Sequence, residues 1–238
     1  MKDLLSYKLI TTERIPLQEV LTAKGNIYTY LNPVSYLEAL KDKELFSEFD
    51  GIFADGGLLV KAVRLLYGKN IHRRSFDMTS MAPILFEYAA KHKKSIAIIA
   101  SRQEHLESAI GILQTHYPGL EVVYSRNGYF SNDDEKDKEA HRITDINPDY
   151  LIVGMGAIMQ EDFLLKVKLA GYKGIGFTCG GFIHQTSHNL AEYYPCWIDR
   201  LGLRFLYRMY REPHTRARYL KAAFVFPLKF IGECLGFF

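Results

Sequence analysis

The chain has 238 residues, of which 48% are hydrophobic, 13% aromatic and 24% charged, and its formal net charge is +3. These are the proportions of an ordinary globular protein, and they exclude a disordered, collagen-like or disulfide-framed chain. The three cysteines, Cys179, Cys196 and Cys234, are odd in number and include no CxxC pair. Neither a zinc knuckle nor a disulfide scaffold is indicated, and we expect a reducing compartment.

The two ends of the sequence bear on targeting. The first residues, MKDLLSYKLITTER, alternate apolar with charged side chains and lack the apolar run and cleavage site of a signal peptide, so we expect a cytoplasmic protein. The longest apolar stretch, residues 222–238, is interrupted by Pro227, Lys229 and Glu233. A bilayer span needs roughly 20 apolar residues, so a membrane span is not predicted, whereas a membrane contact stays open.

Short apolar runs rich in β-forming residues alternate along the chain with longer segments of helical period. This alternation is typical of parallel strands joined by crossover helices, and it predicts an α/β, Rossmann-like, mostly parallel sheet with flanking helices. The predicted strands are residues 26–31, 51–54, 95–100, 121–125, 150–153 and 174–178. The predicted helices are residues 34–41, 58–66, 78–92, 103–116, 136–145 and 160–169. We predict a core over residues 1–190 and a C-terminal appendage over residues 191–238.

Four of the predicted strands end in small or polar residues. In open α/β sheets, ligands bind at the carboxyl ends of strands, where free amides and helix N-termini favour anions. The four ends together predict a phosphate-bearing ligand, although any single glycine is equally typical of a strand-to-helix turn. No GxGxxG or GxxxxGKS/T motif occurs, so neither the dinucleotide fingerprint nor the P-loop is indicated. The four strand ends are Asp55-Gly56-Gly57, Ser101-Arg102, Gly154-Met155-Gly156 and Gly180-Gly181.

Positive charge is concentrated near the C-terminus. Residues 204–221 contain six basic side chains and one acid, a local charge of +5, so the rest of the chain sums to −2. Helical spacing predicts that Arg204, Arg208 and Arg211 share one face, and Pro213 is expected to bend the chain after them. No RNP pattern or zinc finger accompanies these residues, so no nucleic-acid partner is predicted.

An apolar, aromatic tail follows the basic segment, and two interpretations of it are open. In the first, the basic and aromatic residues contact a membrane surface, because a basic patch next to inserted apolar side chains gives reversible binding. In the second, the arginines form a solvated face and the tail packs as the last element of the core. We favour the first. The aromatic side chains of the tail are Phe224, Phe226, Phe230, Phe237 and Phe238.

A series of landmarks runs in a fixed order over residues 26–219. They are Asn32 after the first strand, the pair Asp55-Gly56, Asp77 in RRSFDM, YPGLEVVYSRNGYF at 117–130, NPDYLIVGMGAIMQE at 147–161, Gly180-Gly181, and PCWIDRLGLRFLYRMYREPHTRARY at 195–219. Their order and spacing resemble the bacterial WecG/TagA/CpsF glycosyltransferases of cell-envelope polysaccharide synthesis. The resemblance implies inverting transfer of a sugar from a UDP donor to a polyprenyl-diphosphate-linked saccharide at the cytoplasmic membrane face. It implies no metal-binding DxD and no cofactor, since the UDP-sugar is a co-substrate, and it leaves a homo-oligomer open.

The resemblance also implies roles for individual residues. Asp55 matches the family's Asp-Gly aspartate and is implied as the base that takes the acceptor's proton, whereas alone it would be read as a helix cap. C-terminal arginines are implied to neutralise the leaving diphosphate, with Arg73 or Arg74 adding charge from the other side. The matching arginines are Arg208, Arg211 and Arg218, and the other implied substrate-binding residues are Asn32, Gly56, Asp77, Ser101, Tyr129, Gln160, Glu161 and Gln185.

Several alternatives accompany these assignments. Glu161 also suits the dipole at a helix start, and Tyr129 is equally typical of a buried strand aromatic. Ile158 stands where the family has proline, and Tyr30 where it has threonine. Because an acid near the nucleotide pocket and the polar residue two positions before Asn32 are both replaced, the donor is not assumed to be N-acetylmannosamine, and UDP-glucose or another hexose is an alternative. His184 and His188 have no third ligand at a suitable spacing, so no metal site is predicted. A non-catalytic relative that binds a nucleotide sugar or lipid-linked glycan is the alternative function.

Overall fold

The computed structural model describes residues 17–188 and 203–236, together with Leu5, Lys8, Leu9 and Ile198. The predicted boundary between core and appendage at residue 190 lies outside these described residues. Six strands form one sheet in the order β2-β1-β6-β5-β3-β4, and every pair in it is parallel. The predicted α/β class is therefore confirmed, and each strand lies within one residue of its predicted bounds at either end. The strands are β1 (Ile27–Leu31), β2 (Gly51–Ala54), β3 (Ser95–Ala100), β4 (Glu121–Arg126), β5 (Tyr150–Gly154) and β6 (Ile175–Thr178).

Helices connect the strands and also continue beyond the last one. The six helices predicted between strands are confirmed, and so is the basic helix at residue 204. The structure adds four helices that the sequence analysis did not identify, namely α1, α3, α9 and α11. In chain order the helices are α1 (Leu17–Thr22), α2 (Pro33–Ala39), α3 (Lys43–Ser47), α4 (Gly57–Tyr67), α5 (Met81–Lys91), α6 (Gln103–His116), α7 (Asp133–Ile146), α8 (Met159–Leu169), α9 (Phe182–His188), α10 (Arg204–Arg211) and α11 (Arg216–Leu235).

The helices cover both faces of the sheet and make two hydrophobic cores. One core lies between the sheet and helices α2, α3, α4, α7, α8 and α11. The other lies between the sheet and helices α1, α5, α6 and α9. In β3, Ala97 and Ile99 face the first core while Ile96 and Ile98 face the second, because successive side chains of a strand alternate between faces. Burial on both faces explains why the strands read as continuous apolar runs.

The C-terminal helix α11 packs one of its sides into the first core. Phe226 and Phe230 are buried there, with ring centroids 5.5 and 5.3 Å from that of Tyr36 on α2. The expectation that both of these phenylalanines lie in a lipid interface is therefore wrong, because their spacing of four residues places them on the inward side of one helix. Phe224 is on the outward side and is 75% exposed, while Phe237 and Phe238 lie outside the described residues. Within the described chain, no helix combines the length and apolar character needed to cross a membrane.

Candidate functional site

The carboxyl ends of all six strands meet at one edge of the sheet, because every strand runs in the same direction. After β2 the chain crosses to β3 in the other half of the sheet, and such switch points are where ligands bind in open α/β folds. Asn32 follows β1 at this edge and begins α2, its side-chain oxygen accepting hydrogen bonds from the backbone N–H groups of Val34 and Ser35 at 2.9 and 3.1 Å. Gly56 follows Asp55 with a φ of +98°, which glycine adopts without strain.

Asp55, at the end of β2, belongs to a network of charged groups. Arg73 Nε donates a hydrogen bond to Asp55 Oδ1 at 3.2 Å, and Arg73 Nη2 lies 2.8 Å from Asp77 Oδ2. The same Nη2 donates to the Ser75 hydroxyl at 2.6 Å, and that hydroxyl donates to Asp77 Oδ2 at 2.6 Å. Arg73 thus bridges the two carboxylates and fixes the position of Asp55 at the edge of the sheet.

The two carboxylates of this network differ in acidity. Burial raises the pKa of Asp55 above its ordinary value, and the negative charge of Asp77 adds to this effect against the lowering effect of Arg73. Burial also acts to raise the pKa of Asp77, but the guanidinium groups of Arg73 and Arg204 outweigh it and hold that pKa well below the usual range. Asp77 is therefore a permanent anion, whereas Asp55 is the better proton acceptor of the pair.

Helix α10 joins the network from the C-terminal part of the chain. Arg204 Nη1 donates to Asp77 Oδ2 at 2.7 Å, and Arg204 Nη2 donates to the Thr79 hydroxyl at 2.6 Å. Thr79 in turn donates to Asp77 Oδ1 through both its backbone N–H and its hydroxyl. Asp77 thus anchors the basic helix beside Asp55, a role the sequence could not reveal because the partners are 127 residues apart.

The structure separates the roles of Arg73 and Arg74, which the sequence left as alternatives. Arg73 is engaged with Asp55, Ser75 and Asp77. The backbone N–H of Arg74 donates to Ala54 O at 2.9 Å, which holds it against the end of β2. Its guanidinium makes no ion pair with any residue in the described part of the chain, so Arg74 is a cation available to an anionic ligand.

Gln160 and Glu161 begin α8 and form a second network, below the end of β6. Gln160 Oε1 accepts a hydrogen bond from the backbone N–H of Gly180 at 3.1 Å, and Gln160 Nε2 donates to Glu161 Oε1 at 2.8 Å. Glu161 is 1% exposed and also accepts from the Thr29 hydroxyl at 2.7 Å and the Ile158 N–H at 2.7 Å. Glu161 therefore lies behind the edge and supports Gln160 and the Gly180 turn.

The turn before α8 explains one departure from the family's sequence pattern. Ile158 has a φ of +72° and a ψ of −51°, a conformation that is strained for a β-branched residue. Proline, whose ring fixes φ near −65°, cannot adopt it. The backbone at this position is thus incompatible with the proline expected from the resemblance, and Glu161 stabilises it by accepting the Ile158 N–H.

Gln185 and Arg208 flank the glycine turn after β6. A Cβ atom on Gly181 would lie 3.3 Å from Arg208 Nη2 and 3.7 Å from Gln185 Nε2, so both polar groups border this turn. Arg208 Nε also donates to Glu212 Oε2 at 3.2 Å. Arg211 and Arg218 are exposed, and neither lies within 4 Å of the position of a Cβ on Gly181, where Arg208 lies.

Ser101 and Tyr129 lie in the half of the edge formed by β3 and β4. Ser101 has a φ of +56°, and its carbonyl accepts a hydrogen bond from the Gly128 N–H at 2.9 Å. Tyr129 is in the loop after β4 and is 62% exposed, so it is not a buried strand aromatic. Its N–H donates to Asn127 Oδ1 at 3.1 Å, and its ring is accessible to a ligand.

No cluster of three or more His, Cys, Asp or Glu side chains suitable for a metal ion occurs among the described residues. His184 forms a ring contact with His105 at 4.4 Å between centroids, and the His188 side chain lies outside the described part. The groups that face the carboxyl edge are instead carboxylates, guanidiniums, amides and hydroxyls. Fold and edge together define a parallel α/β protein with a polar, arginine-bearing ligand site at its topological switch.

The chain belongs to the glycosyl transferase WecG/TagA/CpsF family, whose sequence profile matches residues 7–237. It is 34% identical over 209 residues to a UDP-Gal:alpha-D-GlcNAc-diphosphoundecaprenol beta-1,4-galactosyltransferase of Shigella boydii, covering 88% of this chain and 87% of the relative. It is 26% identical over 200 residues to an N-acetylglucosaminyldiphosphoundecaprenol N-acetyl-beta-D-mannosaminyltransferase of Bacillus subtilis, covering 82% and 75%. A Staphylococcus aureus protein of that same description is 28% identical over 190 residues, covering 79% and 70%. The predicted family and the predicted glycosyltransferase class are thereby confirmed.

Proposed function

We propose that this chain transfers a hexose from a UDP donor to a polyprenyl-diphosphate-linked saccharide in cell-envelope polysaccharide synthesis, with inversion at the anomeric carbon. The observation that carries the proposal is the Asp55 carboxylate, held by Arg73 at the carboxyl edge of the sheet beside an arginine without an ion pair in the described chain. The relatives supply the substrate class, because their descriptions name diphosphoundecaprenol-linked N-acetylglucosamine acceptors.

Asp55 is the proposed general base. Inverting transfer requires a group that takes the proton of the acceptor hydroxyl as this oxygen attacks the anomeric carbon. The burial that raises the pKa of Asp55 makes it a stronger proton acceptor than an exposed aspartate, while Arg73 keeps it oriented. Once protonated, Asp55 loses its negative charge beside Asp77, which favours the product side of the step.

The leaving UDP is proposed to be stabilised by Arg74, Arg208 and the backbone amides of the Gly180-Gly181 turn. A guanidinium matches phosphate oxygens with its planar fork, and a glycine turn lets amides approach closely. Arg74 lies by β2 and Arg208 by the turn after β6, so the two cations flank the end of β1, which lies between these strands. We propose that the reaction needs no metal ion, with the UDP-sugar as co-substrate and no cofactor.

The proposed donor is a hexose without an N-acetyl group, and UDP-galactose is the first to test. The Shigella boydii relative, whose description names UDP-Gal, is 34% identical, whereas the two N-acetylmannosaminyltransferases are 26% and 28% identical. A donor panel of UDP-galactose, UDP-glucose and UDP-N-acetylmannosamine separates these alternatives, since only the preferred donor gives acceptor-dependent UDP release.

The proposed location is the inner face of the cell membrane, with the outward side of α11 as the contact. Phe224 and Leu228 are 75% and 73% exposed on that side, and the exposed Leu65 lies on α4, which α11 contacts. Replacing Phe224 and Leu228 together by serine is expected to release the protein from anionic liposomes. The control is Leu169→Ser on α8, where a similarly exposed leucine has no basic, aromatic helix beside it. Equal liposome partitioning of both variants would contradict the contact.

The test of the reaction measures UDP release with a polyprenyl-diphosphate-linked N-acetylglucosamine acceptor, with and without EDTA. We expect release that depends on the acceptor and survives the chelator, and we expect Asp55→Asn to abolish it without lowering the melting temperature. The matched control is Asp50→Asn at the opposite end of β2, which should retain turnover although it weakens the contact with Lys168. UDP-sugar binding without release in the wild type would favour the non-catalytic binding function instead.

A further inference from the structure

Tyr30, on β1, has a buried hydroxyl that makes no hydrogen bond within the described part of the chain. Its ring is held in place, since Tyr30 pairs with Phe53 of β2 and their ring centroids are 5.2 Å apart, while the ring of Phe76 is 6.0 Å away. A buried hydroxyl without a hydrogen-bond partner destabilises the folded protein, so such a group calls for an explanation. The rings fix where this hydroxyl points, but they cannot satisfy it.

Two other buried tyrosines do have hydrogen-bond partners for their hydroxyl groups. The Tyr150 hydroxyl donates to Leu21 O at 2.8 Å, and the Tyr172 hydroxyl donates to Pro148 O at 2.9 Å. Both partners are backbone carbonyls away from the carboxyl edge. The fold thus satisfies these two hydroxyls and leaves that of Tyr30, at the ligand edge, without a partner in the described chain.

The surroundings of the Tyr30 hydroxyl are those of the proposed site. Burial is the main cause that raises the pKa of Tyr30 far above its usual value, and the charges of Arg74, Asp77 and Asp55 also act on it. The hydroxyl is therefore always neutral, with one hydrogen to donate and lone pairs to accept. Arg74, whose charge acts on this hydroxyl, makes no ion pair in the described chain, so its charge is available to an anionic group that binds beside Tyr30.

We propose that Tyr30 determines donor specificity by hydrogen bonding to a hydroxyl group of the sugar that is transferred. This inference rests on the proposed function. A base acting on the acceptor hydroxyl must lie within about 3 Å of it, and that hydroxyl attacks the anomeric carbon, so groups bordering Asp55 contact the sugar. Tyr30 pairs with Phe53, two residues before Asp55, and the backbone of Arg74, which is proposed to bind the diphosphate attached to the same carbon, is hydrogen-bonded to Ala54.

The experiment compares the wild type with Tyr30→Phe, which removes the oxygen and keeps the ring stacked on Phe53. The control is Tyr150→Phe, which removes a hydroxyl that has a structural partner. Each protein is assayed for kcat/KM with the preferred UDP-hexose and with its 2-, 3-, 4- and 6-deoxy analogues, and its melting temperature is measured. Each deoxy analogue removes one hydroxyl of the sugar, as Tyr30→Phe removes the hydroxyl of the protein. The substitution and the analogue together form a double-mutant cycle across one hydrogen bond.

We expect Tyr30→Phe to lower kcat/KM at least tenfold with an unchanged or higher melting temperature, and Tyr150→Phe to lower the melting temperature with kcat/KM within twofold. For one deoxy donor, wild type and Tyr30→Phe should have equal kcat/KM, which identifies the bonded hydroxyl. The proposal is overturned if Tyr30→Phe stays within twofold of wild type, or if its loss is the same for every deoxy donor. If wild type transfers no sugar at all, the proposed function fails, and this assignment fails with it.

Discussion

The attachment of the C-terminal helix α11 depends on an ion pair that can be tested by a paired substitution. Lys43, the first residue of α3, places its ammonium 2.8 Å from both carboxylate oxygens of Glu233 on α11. The Glu233 side chain is 3% exposed, whereas that of Lys43 is 28% exposed. Removing one partner therefore has different consequences for the two residues. Without Glu233, the Lys43 ammonium can become hydrated, whereas without Lys43 the Glu233 carboxylate stays buried.

Lys43→Met leaves a buried, unpaired carboxylate. Removing one partner of a buried pair costs about 3–5 kcal/mol, and we expect about 3 kcal/mol because the pair is partly open to solvent on the lysine side. Glu233→Leu should cost only about 1 kcal/mol, since the lysine becomes hydrated and the leucine joins an apolar helix side. The double variant should lie within about 1 kcal/mol of wild type, because replacing a buried pair by apolar residues is often neutral.

Hydrogen exchange of the backbone amides of α11, residues 216–235, measures how much each substitution destabilises this helix. A cost of about 3 kcal/mol corresponds to exchange faster by on the order of 100-fold if α11 opens as a unit. The amides of α6, on the other face of the sheet, should not change. Lys41→Met removes a surface pair with Glu38 and should cost less than about 0.5 kcal/mol. A Lys43→Met effect no larger than that of Lys41→Met, or a double variant as labile as Lys43→Met alone, would refute the reasoning.

Three further predictions concern the carboxyl edge. Arg73→Gln removes the cation that lowers the pKa of Asp55 most, so the acidic limb of the pH profile of kcat/KM should move to higher pH. An acidic limb that does not move would argue against Asp55 as the base. The pKa of Asp77 is lowered in the folded state. The contribution of this carboxylate to stability is therefore complete above its ordinary pKa of 3.8 and is lost as the pH falls through the lowered pKa. In urea unfolding, Asp77→Asn should cost less stability at pH 3 than at pH 7. Gly154→Ala would place a Cβ 2.7 Å from a thiol sulfur and should cost about 1–3 kcal/mol in thermal unfolding, whereas Gly111→Ala in open space within α6 should gain about 0.5–1 kcal/mol.

Much of the fold could be predicted because its signals are local. Strands β1, β2, β3, β5 and β6 are short, mostly buried apolar runs, whereas the edge strand β4 is partly exposed, and the bounds of all six can be read from the chain alone. Helix α11 could not be predicted in this way, since Pro227 and Glu233 interrupt the apolar pattern of the tail. The structure keeps both within the helix, and Glu233 is compatible with burial only because Lys43, 190 positions earlier, lies against it.

The sequence indicated where part of the candidate site lies, but it could not show which of the predicted residues contact one another. Resemblance selected Asp55, Asp77 and Gln160, and the structure places all three at the carboxyl edge. It could not separate Arg73 from Arg74, because neighbouring arginines in a loop carry the same local signal. Only the through-space contacts show that Arg73 is engaged by two carboxylates while Arg74 is not.

The division of charges at this edge indicates which groups are left for substrate. Asp77 pairs with Arg73 and Arg204, and Asp55 also pairs with Arg73, so the two carboxylates and the two guanidiniums balance one another within the protein. The function of Asp77 and the two guanidiniums is to hold Asp55 in place and to dock α10 next to it. Arg74 makes no ion pair and the Tyr30 hydroxyl makes no hydrogen bond in the described chain, and the charge of Arg74 acts on Tyr30. A framework of this kind, ordered before substrate binds, favours transition-state binding because the cost of ordering its charged groups is met during folding rather than at the reaction step.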